Sequence, residues 1–215
     1  MRVIHTPAYR MIELVVLTIG IPFALYHFLP QTVLIFTLWI TALYCDLVYR
    51  AIIGQEKRVW WNVGEVTWSN LQPMFTRFAL CAIVLTVGVW VFEPERLFSF
   101  VRERTGFWLI VMLLYPLLSV IPQEIIFRVF FFHRYAPLFP ARAAMVLASG
   151  ITFGAAHLIF HNLVAPILCA VGGIFFADTY ARHKSLLLVA IEHALYGCFI
   201  FTVGLGHYFY SGALR

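Results

Sequence analysis

Three short stretches set ionisable side chains into apolar sequence, and their spacing limits what chemistry they could do. In PQEIIFRVFFFHRY (residues 122–135), Gln123, Glu124 and Arg128 interrupt a run of Ile, Phe and Val. Glu124 and Arg128 stand four apart, the spacing at which helical side chains meet on one face. Such a pair can be a structural ion pair, and the guanidinium can also hold the carboxylate ionised as a general base. ITFGAAHLIFHN (151–162) offers His157 and His161, again four apart, the spacing by which one helix presents two imidazoles to a metal. Taken alone, a membrane histidine is more commonly a hydrogen-bonded packing residue. VAIEHALYGCFIFTVGLGHYFY (189–210) contains Glu192 beside His193. Neighbours on a helix point about 100° apart, so at most one of the two faces a shared site.

These groups need elements to position them, and the chain supplies apolar helices. Of its 215 residues, 62% are hydrophobic and 12% are charged. A soluble domain carries about a quarter charged residues, so the composition specifies an all-α, polytopic integral membrane protein. Windows of about 20 apolar residues predict about seven spans (six to eight), near 11–29, 31–53, 78–93, 107–133, 142–161, 164–181 and 186–210. Pro30 and Gln31 predict a tight turn between the first two. The segment 54–77 is polar and carries Trp60, Trp61 and Trp68, which suit an interfacial belt. EPERLFSFVRERTG (93–106) reads as an amphipathic stretch on the membrane surface. The chain divides into N-terminal scaffold helices with an interfacial loop (1–104) and site-bearing helices (105–215) within one membrane domain. MRVIHTPAYR runs into the first apolar stretch without a small-residue cleavage site, so that helix is expected to be an uncleaved anchor.

Ionisable groups inside spans are functional candidates because lipid makes them costly. Glu13 and Asp46 lie near segment ends, from which they can reach the interface. The rest, including Asp178 and His207, gather in the last four spans, which places the site there. With the N-terminus inside, ten Lys and Arg, Arg77 among them, fall in inner loops against four outside. This predicts a cytoplasmic N-terminus in the cell's inner (plasma) membrane. That distribution accounts for the net charge of +5, and no basic stripe with interleaved aromatics suggests nucleic acid. Cys45, Cys81, Cys169 and Cys198 form no CxxC pair, so neither disulfides nor a thiolate zinc site is signalled. One carboxylate and two or three imidazoles on separate helices suit water activation inside the bilayer, with peptide hydrolysis as its obvious use. Proton-coupled transport is the alternative, since Glu and His chains also relay protons.

Three segments, QEIIFR (123–128), FGAAH (153–157) and EHALYG (192–197), together resemble the motifs of the CPBP family. These are the CAAX-protease and bacteriocin-processing intramembrane endopeptidases, whose pattern is EExxxR, FxxxH and an HxxxN-like element on successive helices. The resemblance covers about residues 105–210. It implies an intramembrane endopeptidase acting on a membrane protein or peptide within the lipid bilayer. Glu124 would activate water, His157 would bind or polarise it, and His193 would stabilise the oxyanion. Gln123, Arg128, Phe153, His161, Asn162, Glu192 and Tyr196 would support them. No tightly bound metal is expected. A zinc site would use Glu124, His157 and His193, with His161 or Glu192 joining. Two positions depart from the pattern. Gln123 stands where the family's implied base is a glutamate, and Gly197 stands where the third motif has Asn or Asp. Pro122 is placed to alter the helix so that Glu124 takes over, and Tyr196 or Asn162 could replace the lost donor. The departures also suit a pseudoprotease that binds membrane segments without cutting.

Overall fold

The computed structural model describes residues 3–28, 33–53 and 61–209. The Pro30–Gln31 turn, Trp60 and the charges at Arg2, Lys57, Arg58 and Arg215 lie outside the described residues. Everything regular among the described residues is helical, and seven helices are long and apolar enough to cross a membrane. They are α1 (Pro7–Leu25), α2 (Leu34–Ala51), α3 (Trp68–Phe92), α4 (Thr105–Arg134), α5 (Arg142–Phe160), α6 (Val164–His183) and α7 (Leu186–Val203). The chain is an integral membrane protein.

Local chemistry sets several boundaries. Thr6 caps α1, its Oγ1 accepting from the Tyr9 amide at 3.3 Å, and Pro7 occupies the first turn, where its missing N–H costs nothing. Ser185 caps α7 in the same way through the Leu188 amide. The third span is longer than predicted. It starts at Trp68 instead of 78, so the polar residues 68–77 are its opening turns and not part of an interfacial loop. The last span ends at Val203, where Gly204 turns the chain at φ +115° into a 3-10 segment, Leu205–Phe209. The 93–104 stretch docks there. The Phe98 amide donates to the Val203 carbonyl, and a Cβ on Gly204 would lie 2.1 Å from the Arg96 carbonyl oxygen.

Burial separates centre from periphery. Half of α7 and 44% of the most apolar stretch of α6 are buried, against 6% of that of α3, whose Ile83, Val87, Trp90 and Val91 face outward as lipid-facing residues should. α5 and α6 pack closest, because Gly154 brings the backbones together. A Cβ there would sit 2.7 Å from the Pro166 carbonyl oxygen. Backbone cannot yield as a flexible side chain can, so Gly154→Val is expected to cost about 1–3 kcal/mol. A lowered thermal transition of the detergent-solubilised protein would register it.

The N-terminal spans are tied to the rest by buried charges that hydropathy does not show. Glu13 is not left exposed. It is buried between Arg134 of α4, whose Nε donates to Oε2 at 2.6 Å, and Tyr44 of α2, whose hydroxyl donates to Oε1 at 2.9 Å. Asp46 is also buried and pairs with Arg50 one turn on. Arg77, counted above with the inner loops, lies within α3 and pairs with Glu192 of α7. The first three spans, read above as leaving the ionisable groups to the last four, thus carry struts of their own.

Candidate active site

The site begins with an irregular helix. In α4, π-helical turns at Pro116–Val120 and Ile125–Phe130 flank a single α-turn, Ile121–Glu124. Such turns cluster at functional sites because they reset which residues share a face. The result here is a division of labour between neighbours. Gln123 lines a cavity of about 1440 Å³, while Glu124 and Arg128 are fully buried behind its wall.

Glu124 is held from two sides. Its Oε2 lies 3.3 Å from Arg128 Nε, close enough for charge pairing although not aligned as a hydrogen bond. Arg128 is further held by the Gly173 carbonyl at 3.4 Å and by the faces of Phe153 and Phe176, 4.8 and 5.7 Å from the guanidinium carbon. The other carboxylate oxygen, Oε1, accepts from His193 Nδ1 at 2.7 Å. That bond fixes the tautomer and leaves His193 Nε2 as the lone-pair nitrogen. Phe176 stacks on the imidazole, centroids 4.7 Å apart and planes 19° apart. The ring is therefore held both in plane and in rotation.

His193 Nε2 accepts from the Tyr115 hydroxyl at 3.2 Å, and both residues line the cavity. His157 lines it too. Its Nδ1 donates to the Phe153 carbonyl at 2.7 Å, so its Nε2 is also a lone-pair nitrogen. Phe153 stands between the imidazoles, its centroid 4.7 Å from that of His157 and 5.4 Å from that of His193. Gln123 donates from Nε2 to Ser119 Oγ at 2.7 Å, and its buried Oε1 has no protein partner.

The remaining predicted residues go elsewhere. Glu192 faces away from the site, bound by Arg77 and by the Thr179 hydroxyl at 2.6 Å. The α-helix carrying His157 ends at Ala156, and His161 follows a 3-10 turn in the left-handed region at φ 59°. The helical spacing that would align two imidazoles is therefore broken, although both line the cavity. Neither substitute predicted for the third motif's Asn takes that part. Asn162 donates to the Tyr208 and Phe160 carbonyls and accepts from the Ala165 amide. Tyr196 directs its hydroxyl to Cys81 Sγ, 3.9 Å away. The alternative zinc trio of Glu124, His157 and His193 is not assembled, because Glu124 and His193 bond each other. Among the described residues no three His, Cys, Asp or Glu side chains group to hold a metal.

Tyr115 and Ser119 escaped the sequence reading. The signal was available, because Tyr115, Ser119 and Gln123 recur every four residues and form a polar stripe along one helix face.

The family described as type II CAAX prenyl endopeptidase Rce1-like matches residues 105–199. That range contains the Gln123–Arg128, Phe153–His157 and His193–Gly197 elements. Comparison with curated proteins and with solved structures gave no match. The buried carboxylate of Glu124 and both cavity imidazoles lie within the matched residues. Residues 105–199 of this integral membrane protein are thus similar to the Rce1-like family of type II CAAX prenyl endopeptidases.

Proposed function

We propose that the protein is an intramembrane endopeptidase that hydrolyses peptide bonds of membrane-associated proteins or peptides, with the Glu124–His193 pair as its base. The observation that carries this is the 2.7 Å bond from His193 Nδ1 to a carboxylate shut off from solvent. A buried carboxylate behind an imidazole holds its tautomer and stabilises the imidazolium once it forms. Glu124 thus acts on water through His193 and not directly, since it does not line the cavity. His193 accepts a proton from a cavity water, and the hydroxide adds to the scissile carbonyl carbon. Collapse then expels the amine nitrogen, which takes the proton back from His193.

Gln123 Oε1 is an unpaired buried acceptor, which suits a water donor and not a substrate carbonyl. His157 Nε2 is a further lone-pair acceptor on the cavity wall. The cavity exceeds the roughly 300–1,000 Å³ of small-molecule sites, which fits a stretch of polypeptide. This proton path uses side chains alone. The excess of Lys and Arg in the inner loops, which remains with Arg77 placed inside α3, supports a cytoplasmic N-terminus.

One observation favours a second reading. The cavity-facing position where the resemblance puts a glutamate base is the amide Gln123, as suits a protein that binds membrane segments without cutting. Membrane-protein termini distinguish the two. Cells lacking the native gene would carry the wild-type protein or, at equal abundance, His193→Gln or His157→Ala. New termini present with wild type and lost in both variants are expected for the endopeptidase. Identical termini in every set, alongside a deletion phenotype, would establish the binding protein.

A further inference from the structure

Resting on the hydrolytic reading above, we propose that Tyr115 is a catalytic residue that relays the proton from the attacking water to His193. Three observations converge on it. Tyr115 Oη is 3.2 Å from His193 Nε2, the one lone pair that Glu124 leaves to that imidazole. A cavity water therefore cannot reach that nitrogen without displacing the phenol or passing a proton through it. Tyr115 also lines the cavity.

The third observation is the space the phenol occupies. A Cβ on Gly197 would lie 2.3 Å from Tyr115 Oη and 2.3 Å from Cε1, closer than real Cβ contacts come. The residue one turn beyond His193 is glycine, and a phenol from α4 fills the volume its side chain would take. The departure at Gly197 and the position of Tyr115 are thus one feature. A polar group reaches His193 from a different helix, and the glycine makes room for it.

Glu124, His193 and Tyr115 form a carboxylate–imidazole–hydroxyl chain ending at the cavity. As water attacks, one of its protons moves to Tyr115 Oη while the phenol's own proton moves to His193 Nε2. The phenol ends neutral, the imidazole is protonated beside Glu124, and the hydroxide oxygen forms the new bond to the carbonyl carbon. The carbonyl π pair moves onto its oxygen. When the tetrahedral intermediate collapses, the proton returns from His193 through Tyr115 to the leaving nitrogen.

The test uses the full-length protein in detergent and a synthetic peptide spanning the most abundant wild-type-specific terminus from the cellular comparison. Tyr115→Phe keeps the ring over Gly197 and removes only the hydroxyl, so its thermal transition should match wild type. Its kcat is expected to fall about 10²-fold, with KM unchanged. The rate's dependence on solvent deuterium fraction should change from curved, for two protons in flight, to linear. Gly197→Ala, which displaces the phenol without altering its chemistry, should lose activity in parallel. Wild-type kcat in Tyr115→Phe would overturn the relay and leave the endopeptidase standing. No wild-type-specific terminus in cells would overturn both.

Discussion

Arg128→Met is expected to cost the folded protein about 3–5 kcal/mol, because it leaves the Glu124 carboxylate buried without its counter-charge. Both side chains are fully buried, so water cannot take over either role. Glu124→Gln should cost a similar amount for the converse reason. It strands a guanidinium whose remaining support is one carbonyl at 3.4 Å and two aromatic faces. The double variant, Glu124→Gln with Arg128→Met, replaces both charges by neutral groups of similar size. It is expected to recover most of the loss, as paired removal of a buried ion pair often does. Unfolding of the detergent-solubilised protein measures all three. Additive losses would show that the pair is not energetically coupled. The same set qualifies any activity result on Glu124 alone, since a poorly folded protein is inactive for reasons unrelated to its base.

His193→Gln is expected to reduce cleavage by about 10³–10⁴-fold, within the range for general acid–base groups. Glutamine can still donate to Glu124, so the fold should survive and the loss should fall on kcat. Adding Tyr115→Phe to His193→Gln is expected to reduce the rate little further, because members of one proton-transfer chain fail together. Multiplying losses would show that the two residues act independently. Peptide turnover by the three purified variants, normalised to folded protein, decides between these outcomes.

The sequence made the membrane architecture legible because lipid imposes a single-residue penalty that composition records. Where a span was misjudged, a distant partner was the cause. Arg77 broke the hydropathy of α3, yet its charge is answered by Glu192, 115 residues away. Glu13 is likewise answered at a distance, its partner Arg134 lying 121 residues on. The convergence of Glu124, His157 and His193 on one region followed from motif order alone. Which of Gln123 and Glu124 faces the cavity did not, because that depends on the π turns flanking them, and ideal helical spacing carries no sign of those. Tyr115 lay outside all three motifs, and its contact with Gly197 spans two helices.

The two π turns in α4 also leave this helix tolerant of a one-residue change in length. A π turn holds more residues per turn than the α-helix around it. Removing one residue from Pro116–Val120 would let that turn relax to α-geometry by giving up its extra residue, so what precedes it would keep its direction instead of swinging by the roughly 100° that a deletion costs in a regular α-helix. Tyr115 would then keep its place on the cavity wall although its separation from Gln123 in the sequence had fallen by one. A single-residue gap at this point in a relative of otherwise similar sequence would therefore be compatible with an unchanged site.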